Sequence, residues 1–164
     1  MIILAPQLED WGELSTNKTI ALTKYFLKHY AINSKQGYIS GYSGGGETLS
    51  LVLTKSPELY CRVLMCSSKW DGYFNKVVEN KTPIYFVIGE DDEYYGSSPF
   101  KEVYQELVNF YKKQGLSDEE NENYVDLDVK NNDYFLTQGI ENQHGQGGHL
   151  FSNDPNIMGW LFNW

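Results

Sequence analysis

The chain has 164 residues, of which 41% are hydrophobic and 15% aromatic, so it is large and apolar enough to fold as one domain over residues 1–164. Its formal net charge of −9 and the lack of any basic run argue against a nucleic-acid partner, which needs clustered Lys and Arg. No apolar run approaches the roughly 20 residues that span a bilayer, so we expect no membrane insertion.

The cysteines and the first residues indicate a cytoplasmic protein. Cys61 and Cys66 lie in one predicted strand, where about 3.4 Å per residue keeps them too far apart for a disulfide. Unpaired thiols suit a reducing compartment. The start, "MIILAPQLED", has no basic region before its apolar run, so we expect no signal peptide. The spacing of the cysteines is also a poor zinc signal, and we expect neither a metal nor a cofactor.

The first half of the chain alternates between predicted strands and helices. The apolar run "MIILAP" predicts a strand, and a helix follows from about Lys18 to Tyr30, capped by Thr16 or Asn17. A short strand then runs into the glycines of "GYISGYSGGG". The next segment, "ETLSLVLTKSPEL", predicts a helix that stops before Pro57.

The second half continues this order. Strands are predicted in "CRVLMCSS" and "PIYFVIG", and "SPFKEVYQELVNFYKKQG" predicts a helix between Ser98 and Gly115. The acidic segment "LSDEENENYVDLD" is expected to be solvated, and "NIMGWLFNW" to form a last helix. Apolar strands that alternate with helices predict an α/β protein with a mostly parallel sheet and helices on both faces. Such sheets bind ligands beyond the carboxyl ends of their strands.

The glycine-rich stretch "GYSGGG" follows one of these strands. It lacks the Lys-Ser/Thr ending of a phosphate loop. As a structural turn, it would need Ser43 only to cap the next helix. It also fits Gly-x-Ser-x-Gly, in which a serine on a strained turn between strand and helix projects its hydroxyl as a nucleophile. The N–H of Gly44 would then point at a developing oxyanion. The strand before it and the helix after it favour this last interpretation.

A nucleophilic serine needs a histidine base, which should follow the acid in the chain. His144 and His149 lie in the glycine-rich stretch "NQHGQGGHLF", which we expect to be a loop. We favour His149, because "GGHLF" leads into the last helix. The alternative is His144, and a third reading makes both of them polar loop residues. His29 precedes the serine and is expected to be a helix residue at or near the surface.

The acid is expected after the buried strand "PIYFVIG", where Glu90, Asp91 and Asp92 follow one another. We prefer Asp92, with Asp91 second and Asp71 as an outside candidate. Like charges this close raise one another's pKa values, so at least one carboxylate should face solvent. A carboxylate run after a strand is also compatible with a capping or solvated loop.

These segments resemble α/β-hydrolase-fold esterases, in the branch of feruloyl esterases, polyhydroxybutyrate-depolymerase-like esterases and prolyl-oligopeptidase-like hydrolases. The resemblance rests on "YAINSKQGYISGYSGGG", "PIYFVIGEDDEYYG" and "GQGGHLFSNDPNIMGWLFNW" and covers nearly the whole chain. It implies Ser43 as nucleophile, the Gly44 N–H as one oxyanion donor, Asp92 as acid and His149 as base.

The chain departs from this family at its start. The family has further strands before "MIILAP", and the loop after one of them supplies a second oxyanion N–H. We therefore expect a truncated α/β-hydrolase fold with an exposed sheet edge. Because the second donor is missing and the edge is exposed, we expect either a truncated form with weak activity or a dimer that covers the edge. Alternatively, "MIILAP" lies next to the strand that precedes Ser43, and the loop "QLEDWG" supplies a substitute donor.

The function expected from the sequence is hydrolysis of a small-molecule carboxylic ester through an acyl-enzyme on Ser43. Tyr42, Trp70, Tyr94 and Tyr95 lie close in sequence to the candidate catalytic positions and are expected either to line the pocket or to pack in the core. Two other functions remain open: a serine peptidase of the same fold, and a catalytically inactive domain that binds a partner or small molecule.

Overall fold

The computed structural model describes residues 2–162, which form a four-stranded sheet and eight α-helices. The strands are β1 (Tyr38–Tyr42), β2 (Arg62–Cys66), β3 (Ile84–Gly89) and β4 (Val125–Lys130). The helices are α1 (Glu13–His29), α2 (Gly44–Lys55), α3 (Asn75–Asn80), α4 (Ser98–Lys113), α5 (Asp118–Asn121), α6 (Asn132–Leu136), α7 (Gln143–Asn153) and α8 (Pro155–Phe162).

The sheet is parallel throughout the described residues, with the strand order β1-β2-β3-β4. Gly41 pairs with Met65, and Met65 pairs with Phe86, so the strands run side by side in register. Because all four strands point the same way, their carboxyl ends lie at one edge of the sheet. The predicted α/β class with a parallel sheet is confirmed.

Helices cover both faces of the sheet, because alternate residues of the buried strands point to opposite sides. In β3, Ile84, Phe86 and Ile88 join a core cluster that includes side chains of α2, α3 and α4. Tyr85 and Val87 join a second cluster, formed with α6, α7 and α8. The predicted arrangement of helices on both faces is therefore also confirmed.

The predicted strand in "MIILAP" is wrong for residues 2–6, and Met1 lies outside the described residues. Residues 2–6 have no regular secondary structure, and Ile2, Ile3 and Leu4 are exposed. A strand needs a neighbour that pairs with its N–H and C=O groups. Within residues 2–162, β1 pairs with β2 alone, and residues 2–6 form no strand on its other side.

Helix α1 begins at Glu13, several residues before the predicted start, so Thr16 and Asn17 lie inside it. The side chain of Asp10 explains this start. Its Oδ1 atom accepts hydrogen bonds from the N–H groups of Gly12 (3.1 Å) and Ser15 (3.0 Å). A carboxylate bound to the first free N–H groups stabilises the beginning of a helix.

Strand β4 lies in a segment that the sequence analysis expects to be solvated. Val125, Leu127 and Val129 alternate with two aspartates, and Asp128 accepts a hydrogen bond from the Tyr85 hydroxyl at 2.9 Å. The apolar residues recur at every second position, as in a strand with one exposed face, but the acidic composition of the segment makes this pattern hard to recognise. The predicted last helix is present as α8, and the rest of that prediction, residues 163–164, lies outside the described residues.

The two cysteines are free, as the strand geometry predicts. Cys66 is buried at the end of β2, and burial raises the pKa of its thiol to about 12. No helix within residues 2–162 is both long and apolar enough to cross a membrane.

We predict that a second copy of the chain covers the open side of β1. Light scattering coupled to size-exclusion chromatography should then give twice the mass of one chain. The physical reason is that an unpaired strand edge offers its free N–H and C=O groups to another chain. A monomer mass for the unmodified chain at every concentration tested would contradict this prediction.

Candidate active site

The strand-to-helix turn at residue 43 has the geometry of a nucleophile elbow. Ser43 has φ 53° and ψ −127°, a conformation that is strained for a residue with a side chain. It connects β1 directly to α2. A Cβ atom at position 41 would lie only 2.6 Å from the carbonyl oxygen of Gly45, so Gly41 allows the strand and helix to approach closely. The predicted elbow is therefore present in the backbone.

Hydrogen bonds tie this strained turn to the rest of the sheet. The Ser43 N–H donates to the carbonyl of Cys66 (3.1 Å), the last residue of β2. The Ser43 carbonyl accepts from the hydroxyl of Ser68 (2.7 Å) and from the N–H of Gly46 (2.8 Å). With its backbone groups bonded in this way, Ser43 can hold its side chain at the carboxyl edge of the sheet.

A histidine and a buried aspartate line up with the Ser43 hydroxyl. His144 Nε2 lies 3.0 Å from Ser43 Oγ. His144 Nδ1 lies 3.0 Å from Asp92 Oδ2 and 3.1 Å from Asp92 Oδ1. The tautomer with its proton on Nδ1 satisfies both contacts: it donates to Asp92 and leaves Nε2 to accept the Ser43 proton. The structure thus places a Ser-His-Asp arrangement at the predicted edge.

The structure corrects the predicted histidine, because His144 and not His149 lies next to Ser43. His149 is exposed, and its Nδ1 atom faces the amide of Asn153 at 3.3 Å. Both histidines belong to α7, which the sequence analysis expected to be a loop. Five residues along an α-helix turn the side chain by roughly 140°, so one helix cannot present both histidines to the same serine.

The candidate aspartates differ in burial and in their contacts. Asp92 has a fully buried side chain, and its Oδ1 atom accepts from the N–H groups of Tyr94 (3.1 Å) and Tyr95 (2.9 Å). Asp91, the second choice, is exposed and accepts from the Asn132 amide at 2.7 Å. The outside candidate, Asp71, forms an ion pair with Lys69 at 3.0 Å. Of the three aspartates, the structure brings Asp92 to the histidine.

Two aromatic residues predicted to bind substrate have other contacts. The Tyr42 hydroxyl donates to the backbone carbonyl of His144, so it connects the nucleophile strand to α7. Trp70 packs against Phe74 and Phe86, with ring centroids 5.2 and 6.3 Å apart. These contacts favour a supporting role for Tyr42 and a core role for Trp70.

Tyr94 and Tyr95 lie against the histidine instead. The Tyr94 ring stacks on the His144 ring at 5.1 Å and is 73% exposed. The Tyr95 ring meets the same imidazole edge-on at 5.4 Å. The Tyr95 hydroxyl donates to Glu47 Oε1 at 2.5 Å, and Glu47 lies one turn after Ser43 in α2. Burial and the Glu47 carboxylate raise the pKa of Tyr95, so its hydroxyl stays protonated.

The predicted oxyanion donor, Gly44, is the first residue of α2. The first N–H groups of a helix have no partner within the helix, and they carry its positive dipole. The Trp11 ring lies over this position, because a Cβ atom on Gly44 would be 2.5 Å from it, and Trp11 as a whole residue is 54% exposed. The loop "QLEDWG" therefore reaches the start of α2, as its predicted role as a second donor requires.

Glu93 directly follows the three candidate carboxylates and was not predicted from the sequence to contribute to the site. Glu93 Oε1 accepts from the N–H of Gln143 at 2.9 Å, and Oε2 accepts from the N–H of His144 at 2.8 Å. The signal in the sequence is Asn142, a strong N-cap residue that predicts a helix beginning at Gln143. A helix start needs an acceptor for its N–H groups, and a carboxylate is a strong one.

No group of three or more His, Cys, Asp or Glu side chains that could hold a metal ion occurs within residues 2–162.

No protein-family model and no curated protein matches the sequence, but several solved structures match the fold, among them the two that follow. The crystal structure of a thermostable esterase matches 96% of this chain with a TM-score of 0.74 and 20% identity. That of Zea mays acyl-protein thioesterase 2 matches 79% of it with a TM-score of 0.51 and 12% identity. The chain covers only 41% and 61% of those proteins.

These likenesses, together with the parallel sheet and the turn at Ser43, define the fold of the chain. The chain has part of an α/β-hydrolase fold. The resemblance inferred from the sequence is thereby confirmed at the level of the fold.

We predict opposite effects of alanine at two glycines of the elbow. Gly41→Ala should lower the free energy of unfolding by about 1–3 kcal/mol, because its Cβ atom would overlap the backbone of α2. Gly45→Ala meets open space and should raise the free energy of unfolding by up to about 1 kcal/mol, because alanine favours the helix. Urea denaturation of both variants measures the effect, and equal stabilities would contradict close packing at the elbow.

Proposed function

We propose that the protein is a serine hydrolase that cleaves a carboxylic ester through an acyl-enzyme on Ser43. The observation that carries this proposal is the pair of contacts made by His144, 3.0 Å to Ser43 Oγ and 3.0 Å to Asp92 Oδ2. A serine activated by a histidine that a buried carboxylate orients is the arrangement for nucleophilic attack on an acyl group.

Each group in the site has a role in the proposed cycle. His144 takes the proton of Ser43 as Oγ attacks the ester carbonyl, and the charge that develops on the carbonyl oxygen faces the N–H of Gly44. Asp92 stabilises the imidazolium. His144 then gives the proton to the leaving alkoxide, which departs and leaves the acyl group on Ser43. Water, activated by His144 in the same way, releases the acid and restores the serine.

A second oxyanion donor would complete this proposed cycle. The loop that carries Trp11 covers the start of α2, which supports our expectation that this loop contributes the donor. Loss of one donor lowers kcat by about 10²–10³-fold in serine hydrolases, so the contribution of this loop matters for the rate.

The similar structures support the choice of an ester substrate. Both are esterases or thioesterases, and the chain matches one of them over 96% of its own length. A peptidase of the same fold would use the same three residues, and the relative rates on matched ester and amide substrates distinguish the two. A third function, binding without catalysis, predicts that Ser43 does not react with acylating or phosphonylating reagents.

We predict that one histidine is essential and the other dispensable. Ser43→Ala and His144→Ala should each lower kcat for p-nitrophenyl acetate by about 10⁴-fold or more, because the triad acts as a unit. His149→Ala, the matched control in the same helix, should keep its rate within about twofold, since its side chain points to solvent.

A fluorophosphonate probe gives an independent measurement of the same proposal. It should label the unmodified chain and the His149→Ala variant, but not Ser43→Ala. If the unmodified chain neither reacts with the probe nor hydrolyses the ester faster than Ser43→Ala, the protein is not a serine hydrolase. If only His149→Ala is inactive, our assignment of the base is wrong.

A further inference from the structure

The N–H groups of the first three residues of α7 each donate a hydrogen bond to a side chain. Glu93 accepts from Gln143 (2.9 Å) and His144 (2.8 Å), and the Asn142 side chain accepts from Gly145. These are the N–H groups that a helix cannot satisfy by itself. Glu93 therefore holds two of the three, and one of them belongs to the histidine that faces Ser43.

The sequence of α7 makes these outside bonds important. The helix contains Gly145, Gly147 and Gly148, and each glycine is about 1 kcal/mol less favourable than alanine inside a helix. The helix therefore depends on contacts with the rest of the molecule. A carboxylate at its N-terminus provides two charge-assisted hydrogen bonds and a favourable interaction with the helix dipole.

Neighbouring carboxylates hold His144 from two sides. Asp92 binds Nδ1 of the imidazole, and Glu93 binds the backbone N–H of the same residue. The buried Gln143 adds a further link, because its side-chain oxygen accepts from the N–H of Asp91 at 3.1 Å. The acidic loop, residues 90–93, is thus connected to the start of α7 by several hydrogen bonds. A shift of the α7 backbone at His144 would move the imidazole away from Ser43.

We propose that Glu93 is a positioning residue for the hydrolytic reaction, because its carboxylate fixes the backbone of His144 and through it the distance from Nε2 to Ser43 Oγ. This inference rests on the proposed function. Misplacement of a reacting group by about 1 Å can cost 10²-fold in rate, which is the scale on which such a residue acts.

The charge of Glu93 is part of this role. Burial raises the pKa of its carboxyl group, but the bonds from the His144 and Gln143 N–H groups outweigh that effect, so the pKa lies below its ordinary value. The ionised form is favoured in the folded state, so its stabilising effect is present above the ordinary pKa of a glutamate. That effect is lost as the pH falls through the lowered value. The neighbouring charge of Asp92 acts in the opposite direction and raises the pKa of Glu93.

The test compares Glu93→Gln with Glu90→Gln, an exposed carboxylate of the same loop. Glutamine keeps the size of the side chain, but its amide can accept only one of the two N–H bonds. We expect kcat for p-nitrophenyl acetate to fall at least tenfold in Glu93→Gln with KM within twofold, and Glu90→Gln to be unchanged. Equal kcat values in both variants would overturn the proposal, as would a rise in KM alone.

NMR spectra separate positioning from a general loss of structure. In Glu93→Gln, the amide protons of Gln143 and His144 should move upfield and the hydrogen-bonded Nδ1–H proton of His144 should shift, while amides of β2 and β3 stay in place. Unchanged resonances at residues 143 and 144 would contradict the two hydrogen bonds.

If Glu93→Gln does not fold, the two hydrogen bonds to Glu93 can be tested in the unmodified chain. In an acid titration, the amide protons of Gln143 and His144 should move together with a midpoint below the ordinary pKa of a glutamate. The amide of Gly145, which is bonded to Asn142, should not follow them. Amides at 143 and 144 that do not respond would overturn the proposal. These spectra do not depend on activity. An inactive unmodified chain would refute the proposed function, while the spectra would still decide whether Glu93 binds the N–H groups of Gln143 and His144.

Discussion

The strained backbone at Ser43 is the constraint on which the rest of the site depends. A residue with a side chain at φ 53° and ψ −127° costs on the order of 1–3 kcal/mol, and it persists because its surroundings determine it. Bonds to Cys66 and Ser68 on the neighbouring segment hold the turn, and Gly41 lets strand and helix meet. The strain directs one hydroxyl to the sheet edge and places a helix N-terminus beside it.

The parallel sheet brings the other groups to that hydroxyl from far along the chain. Asp92 comes from the loop after β3, while His144 comes from a helix on the opposite face to α2 and α4. The bond from Ser43 to His144 joins residues 101 positions apart. Because the two residues are far apart in sequence, the distance between Ser43 Oγ and His144 Nε2 depends on the sheet and on the tertiary contacts that fix α7 above it.

The elbow and the acid could be predicted from the sequence because each directly follows an apolar strand. The choice between His144 and His149 could not, because the glycines of α7 suggest a loop and its helical form depends on tertiary contacts such as Glu93. Strand β4 is hidden by its aspartates. The apolar run around Ile3 predicts a strand, but whether a strand forms depends on a neighbour that sequence periodicity does not reveal.

The glycines of α7 also determine how the base is spaced from the nucleophile. A Cβ atom on Gly148 would lie 3.1 Å from the Tyr42 ring, so the helix backbone rests directly on that ring next to Ser43. One aromatic ring is thus the spacer between the strand that carries the nucleophile and the helix that carries His144. The distance between His144 and Ser43 therefore depends on the thickness of the Tyr42 ring, although Tyr42 takes no part in the proposed chemistry.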